Sequence, residues 1–277
     1  MLAKQLRINQ AVVSRNESGD RVPSQSEVAA ILDATGVTGV ERDEIVESAR
    51  DTSGSLWQGT DLPEQPAQLA ALLDVEQMTR EVVGWSPLII PGLLQVGSYT
   101  RAIMRAANIA DGEIETRVAI RMGRKEILDR RNPTRFTAIV GEGALRQMIG
   151  GREVMVEQLE HLISTGGRSN VNLHVVTTDT DWHSGLYGPF TLLTMDGGKS
   201  VVHLENARSA VFVPENEDVA AYQDAVLELL GVALSPEQST EFIRSEAERI
   251  AKIDGSQMEE VDQEWREHRL RRGGQQP

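Results

Sequence analysis

The residues best equipped for chemistry gather in three places. Residues 182–190, WHSGLYGPF, set His183 and Tyr187 among glycines between two segments of strand character. Loops in such positions commonly carry function. Glu142 follows another strand-like segment, and His203 and Glu205 close a further one. If these strand ends converge, Glu142, His183 and Glu205 build a polar pocket. The second place is the run Arg117, Arg121 and Arg124, spaced i, i+4 and i+7 so that the three share one helix face. They suit an anionic ligand, or pairing with Glu113 and other acids. The expected ligand-contacting set is therefore Arg121, Glu142, His183, Tyr187 and Glu205. The third place is the first two dozen residues, where basic and amide side chains cluster.

Enzymatic activity is not expected. A hydrolase needs a nucleophile, a base and a group that orients the base. Ser184 adjoins His183, but sequence neighbours in a loop rarely face one another. The chain has no G-x-S-x-G elbow, no phosphate-binding P-loop and no H-E-x-x-H helix. His174, His183 and His203 are the histidines from which a mononuclear metal site would be drawn; neither a metal nor a cofactor is expected.

The elements around these residues follow from periodicity. Residues 1–18 pattern as two short helices about a tight turn, with Leu2, Ala3 and Leu6 on one face and Val12 and Val13 on the next. Pro23-Ser24 opens a third helix carrying Val28, Ile31 and Leu32, closed by Gly36, and residues 41–50 form a fourth. Residues 52–65 are rich in Gly, Ser, Thr, Pro and acid and read as a linker. Beyond it, a helix is expected over residues 66–79, with Leu69, Leu72, Leu73 and Glu76. The block PGLLQ reads as a buried turn whose leucines plug the core, and residues 113–131 read as a charged helix. Alternation and β-branching mark strands near 136–140, 171–176, 190–195 and 201–204. Helices are expected near 142–149, 153–164 and 216–232, and a charged helical stretch from Pro236 to Arg272. The fold class is α+β: an all-α head at 1–51, the linker at 52–65, a mixed domain of about four or five strands at 66–245, and a tail at 246–277.

Bulk properties exclude several classes. The chain of 277 residues contains no cysteine, so disulfides and thiolate metal sites are absent. No apolar run approaches the roughly 18–20 residues needed to span a bilayer, and the N-terminus lacks a signal-like apolar core. A cytoplasmic protein with no membrane partner is expected. The net charge of −14 argues against nucleic acid, yet residues 1–22 carry a local excess of two positive charges. Binding follows the local field, not the total.

The string LAKQLRINQAVVSRNESGDRVPSQSEVAAILDATGV resembles the Cro/repressor-type (xenobiotic-response-element-like, XRE) helix-turn-helix family. Ser14, Arg15, Glu17, Gly19, Arg21, Pro23 and Ser24 are the most specific part of the match. The resemblance implies a recognition helix over about residues 10–18, with Asn9, Gln10, Ala11 and Ser14 toward base edges and Lys4, Arg7, Arg15 and Arg21 near phosphates. It also implies a head truncated at its N-terminus, with Arg7 at the usual turn glycine and Asn16 at a usual aliphatic position. Residues 66–245 resemble the C-terminal domain of unknown function that follows such heads in many regulators of high-GC Gram-positive bacteria. The matching residues include Pro91-Gly92-Leu93-Leu94-Gln95, Tyr99, Arg101, Arg117, Arg121, Arg124, Glu142, His183, Gly185, Gly188, Phe190 and Glu205. The resemblance implies a transcriptional regulator acting on operator DNA as a homodimer, with an unknown small-molecule effector. It also implies, as the alternative, an antitoxin-like module that binds a small protein encoded by a neighbouring gene.

Overall fold

The computed structural model describes residues 2–6, 8–17, 23–50, 66–206 and 209–253. The chain divides into two compact units, Met1–Asp61 and Leu62–Pro277. The linker at 52–65 and most of the tail at 246–277 lie outside the described residues.

The first unit holds helices α1 (Leu2–Gln5), α2 (Gln10–Glu17), α3 (Gln25–Thr35) and α4 (Val40–Arg50). Its boundaries follow from capping. Ser24 accepts a hydrogen bond from the Glu27 backbone N–H while the Glu27 carboxylate accepts from the Ser24 N–H, a reciprocal capping box. Such a cap contributes about 1 kcal/mol. Gly36 ends α3 at φ 82°, a left-handed conformation that glycine adopts without a Cβ penalty. Leu32 is the buried anchor of α3, and the Arg42 guanidinium of α4 donates to Asp33 at 2.8 and 3.4 Å.

The second unit opens with α5 (Pro66–Met78) and β1 (Thr79–Ser86), followed by a 3-10 turn at Gly92–Leu94. Then come α6 (Gly97–Ala106), α7 (Asp111–Gly123), α8 (Glu126–Asp129), β2 (Arg135–Gly141), α9 (Glu142–Arg146), α10 (Arg152–Gly166) and β3 (Val171–Val176). A second 3-10 turn, Ser184–Tyr187, leads into β4 (Phe190–Met195), β5 (Ser200–Glu205), β6 (Ala210–Val213), α11 (Asn216–Val232) and α12 (Pro236–Ala251).

One six-stranded sheet has the order β3-β2-β1-β4-β5-β6. Strands β1, β2 and β3 pair in parallel, whereas β4, β5 and β6 join antiparallel. The crossover helix α10 and the two helices that follow β6 put apolar layers on both faces of the sheet. On one face Val82, Ala138, Leu173 and Leu193 pack with Met155 and Leu159 of α10 and Ile243 and Ile250 of α12. On the other, Trp85, Ile139 and Val202 pack with Val219, Val226 and Leu229 of α11. Each fully buried side chain of this kind contributes roughly 1.5–3 kcal/mol.

Two strands exceed the expectation. The central strand β1 begins Thr79-Arg80-Glu81 and contains Gly84, so its apolar pattern is broken in sequence; pairing on both sides supplies its stability. The edge strand β6 has only four residues, all half-buried. The expected helix over 113–131 is two, α7 and α8, with a turn between them at 124–125. PGLLQ is the buried turn expected: Leu93 and Leu94 enter the core, and the Gln95 amide donates to the Ile90 carbonyl and accepts from the Thr100 hydroxyl.

Candidate functional site

In the first unit, α2 separates two faces. Val12, Val13 and Asn16 are half-buried, while Gln10, Ala11, Ser14 and Arg15 are exposed. The exposed set therefore forms one continuous strip across the first two turns. Asn9 lies one residue ahead of the helix, where its side-chain oxygen accepts from the Ala11 N–H at 2.9 Å. That bond satisfies an otherwise unpaired donor at the helix start, so Asn9 orders the strip in addition to bordering it. The Arg15 guanidinium reaches back to the Ala11 carbonyl at 3.2 Å. Lys4 belongs to α1; Arg7 and Arg21 lie outside the described residues.

In the second unit, the structure distributes the ligand-contacting set over separate places. Glu142, at the carboxyl end of β2, is buried; its carboxylate accepts from the backbone N–H and hydroxyl of Thr178 and pairs with Arg146 at 2.8 Å. These bonds tie the end of β2 to the segment after β3. His183 is also buried, edge-on to the Trp85 ring with centroids 5.7 Å apart. Ser184 donates its hydroxyl to Glu228 on α11, which holds that carboxylate below its ordinary pKa, so this serine does not face its histidine neighbour. Gly185 is required by close approach: an added Cβ would sit 2.8 Å from Trp85 Nε1, whose N–H donates to the Gly185 carbonyl. The loop thereby anchors its inner side and exposes the other. Tyr187 is 86% and Trp182 61% exposed, and the two rings meet edge to face at 6.1 Å. Leu186 is exposed as well. His174 instead bonds the Leu234 carbonyl at 2.9 Å. Among the described residues no group of three or more His, Asp or Glu side chains is arranged to hold a metal ion.

Arg121 and Glu205, by contrast, meet in one cavity of about 500 Å³, within the range of small-molecule sites. Leu69, Leu72 and Leu73 of α5, Met104 of α6 and Ile120 of α7 supply its apolar wall. Arg117, Arg121, Arg124, His203 and Glu205 supply its polar side. The three arginines expected on one face all border this cavity, but with different environments. Arg117 pairs with Glu113 one helical turn earlier. Arg124 forms a two-pronged bond with Glu76, Nε to Oε2 at 3.0 Å and Nη2 to Oε1 at 2.8 Å. The Glu76 side chain is only 4% exposed. Burial alone would lower the Arg124 pKa, but the charge and hydrogen bonds of Glu76 prevail and hold it above its ordinary value.

His203 sits beside this pair with its ring against Phe212, centroids 4.7 Å apart. Burial, reinforced by the Arg124 charge, lowers its pKa to about 4. The imidazole is therefore neutral at physiological pH, offering one donor and one acceptor. Glu76 was visible as an acid on the stripe Leu69, Leu72, Leu73 and Glu76 (spacing i, i+3, i+4, i+7). A charge on a core-facing stripe is the signal that announces a buried partner.

A family model described as "Helix-turn-helix domain" matches residues 1–45. A second, described as "Domain of unknown function (DUF5753)", matches residues 69–245, well over half of the chain. The chain belongs to the DUF5753 family. Its cavity, its buried Glu76–Arg124 pair and the exposed 182–187 loop all lie within the DUF5753 match. The helix-turn-helix domain ahead of that match marks this DUF5753 protein as a DNA-binding regulator. No curated protein matches the chain. Among the described residues no helix is long and apolar enough to cross a membrane.

Proposed function

We propose that this DUF5753 protein binds operator DNA as a homodimer through α2, and that its C-terminal domain adjusts that binding in response to a small-molecule effector. The observation that carries the DNA reading is the exposed strip Gln10, Ala11, Ser14 and Arg15 opposite the half-buried Val12 and Val13. A recognition helix needs this division, because one face must brace the domain while the other enters the major groove. Gln10 can pair bidentately with adenine, and Arg15 suits a phosphate. A two-fold dimer would present two such helices to successive grooves.

Fluorescence anisotropy with the gene's own upstream DNA tests the reading. Gln10→Ala is expected to weaken specific binding by about 1–3 kcal/mol, whereas Arg15→Ala weakens all sequences alike and flattens the salt dependence by about one unit. Wild-type affinity in both variants would contradict it.

A second reading has its own observation. Trp182, Leu186 and Tyr187 form an exposed apolar loop on a rigid anchor, the kind of surface that marks protein–protein contact. The partner would be a small protein encoded beside this gene, in an antitoxin-like arrangement. Partner binding lost in Trp182→Ala, in a chain that does not retain upstream DNA, would favour this reading over the first.

A further inference from the structure

We infer that the exposed loop 182–187 and the adjoining part of α11 dock a basic amphipathic protein segment: an apolar anchor flanked by lysine or arginine side chains. The inference deepens the partner reading above and rests on it for the partner's origin, though not for the surface itself.

Three observations carry it. First, the patch is apolar. Trp182, Leu186 and Tyr187 are exposed on the loop. On α11, Leu227 is 69% exposed next to Glu228, whose carboxylate accepts from the Ser184 N–H and hydroxyl and so ties the helix to the loop. Covering such side chains is favourable in proportion to the area removed from water. Second, the patch is ordered before any partner arrives. The Trp85 indole N–H donates to the Gly185 carbonyl at 2.7 Å, His183 packs edge-on to the same indole, and Trp182 and Tyr187 brace each other. A surface already held in place loses little conformational freedom on binding. Third, its frame is acidic. Residues 169–198 and 209–243, which include the loop and all of α11, contain no lysine or arginine. Asp179 and Asp181 precede Trp182, and Glu217, Asp218 and Asp224 are exposed on α11. Arg146, linked to the segment after β3 through Glu142, is already engaged by Glu142 and Glu246.

Charge complementarity chooses the occupant. Basic side chains around an apolar anchor meet acids of opposite sign, which speeds encounter and rejects other partners. A second copy of this chain would set the acidic frame against itself. DNA or an anionic membrane would be repelled in the same way, over the roughly 8 Å that such fields reach at physiological salt.

A fluorescein-labelled amphipathic peptide of leucine and lysine, with a counterpart carrying glutamate for every lysine, tests this by anisotropy with the full-length chain. The lysine peptide is expected to bind and the glutamate peptide not to. Trp182→Ser with Tyr187→Ser should weaken the lysine peptide about tenfold or more, as the loss of aromatic anchors does. Asp181→Lys with Asp224→Lys should weaken it as well, and more at low salt than at high. Glu241→Lys with Glu248→Lys makes the same change of net charge on α12, which packs on the opposite face of the sheet, and should have little effect. All the replaced side chains are exposed, and circular dichroism establishes that each variant is folded. Equal weakening by the α12 pair, or unchanged affinity in the aromatic pair, would overturn the site. Equal binding of the glutamate peptide would overturn the basic class. A dimer in sedimentation that the aromatic pair dissociates would give the patch to a second copy and overturn the proposal. Co-purification with the neighbour-encoded protein judges the partner reading separately. Its failure, with the lysine peptide bound at the patch, would overturn that reading alone.

Discussion

Replacing Glu76 by glutamine is expected to destabilise the C-terminal unit by about 3–5 kcal/mol, the cost of leaving a buried charge without its counter-ion. Arg124 engages Glu76 through two bonds, and only 13% of its side chain reaches solvent. An amide at position 76 can accept only one of the two bonds and leaves the guanidinium charge unopposed. The loss exceeds that of a surface pair, which is worth at most about 1 kcal/mol. Urea unfolding at neutral pH measures it. The double replacement Glu76→Leu with Arg124→Met removes both charges and is expected to recover most of the stability, since an apolar pair of similar volume often substitutes for a buried ion pair. A double variant as unstable as the single one would show that the pair's geometry, not its desolvated charge, supports this corner of the fold.

The second large effect concerns acid. His203 has a pKa of about 4 in the folded chain, against about 6.5 when exposed. The unfolded chain thus takes up the proton first. The stabilising contribution is complete above pH 6.5 and is lost as the pH falls from there toward 4. Between pH 7 and pH 5 this single group is expected to remove about 2 kcal/mol of stability. His203→Phe cannot take up that proton. Urea unfolding at the two pH values should show the native chain losing about 2 kcal/mol more than the variant. Equal losses would mean that the imidazole is hydrated and titrates normally. Other carboxylates contribute to acid unfolding in both proteins, so the difference between them isolates His203.

These two effects meet at one corner of the sheet, and that corner was only partly legible beforehand. Local signals were read correctly. The Ser24 cap and the Gly36 stop of α3 depend on neighbours within three or four positions, as does the PGLLQ turn. Strands β2, β3 and β4 carry their own apolar and β-branched signal. What escaped was non-local. β1 lies at the centre of the sheet, yet it begins Thr79-Arg80-Glu81 and its interior contains Gly84; only β2 and β4 on either side make it a strand. Glu76 and Arg124 stand 48 positions apart, so the stripe that marks Glu76 for a buried partner does not say which residue it is. The arginine periodicity showed one face, but not that Arg124 lies just beyond the end of α7 and turns inward.

The site residues divide along the same line. Arg121 and Glu205 share the cavity, whereas Glu142 is held by Thr178 and Arg146, and His183 by Trp85. Placing Glu142, His183 and Glu205 around strand ends leads to the expectation of one pocket. The deciding quantity is which face each side chain occupies, and a one-residue change in strand register reverses that face. In the head, Asn9 resembled a base-reading residue by its position; its bond to the Ala11 N–H adds a capping role that sequence position alone does not distinguish.

The account centres on α2 as a surface that reads DNA, and selection from a pool of random duplexes with the full-length chain tests this most directly. Enrichment of a defined short sequence is predicted, with retention lost in Gln10→Ala and declining steeply with salt. A pool that emerges without any enriched sequence, or one enriched equally by Gln10→Ala, would contradict it.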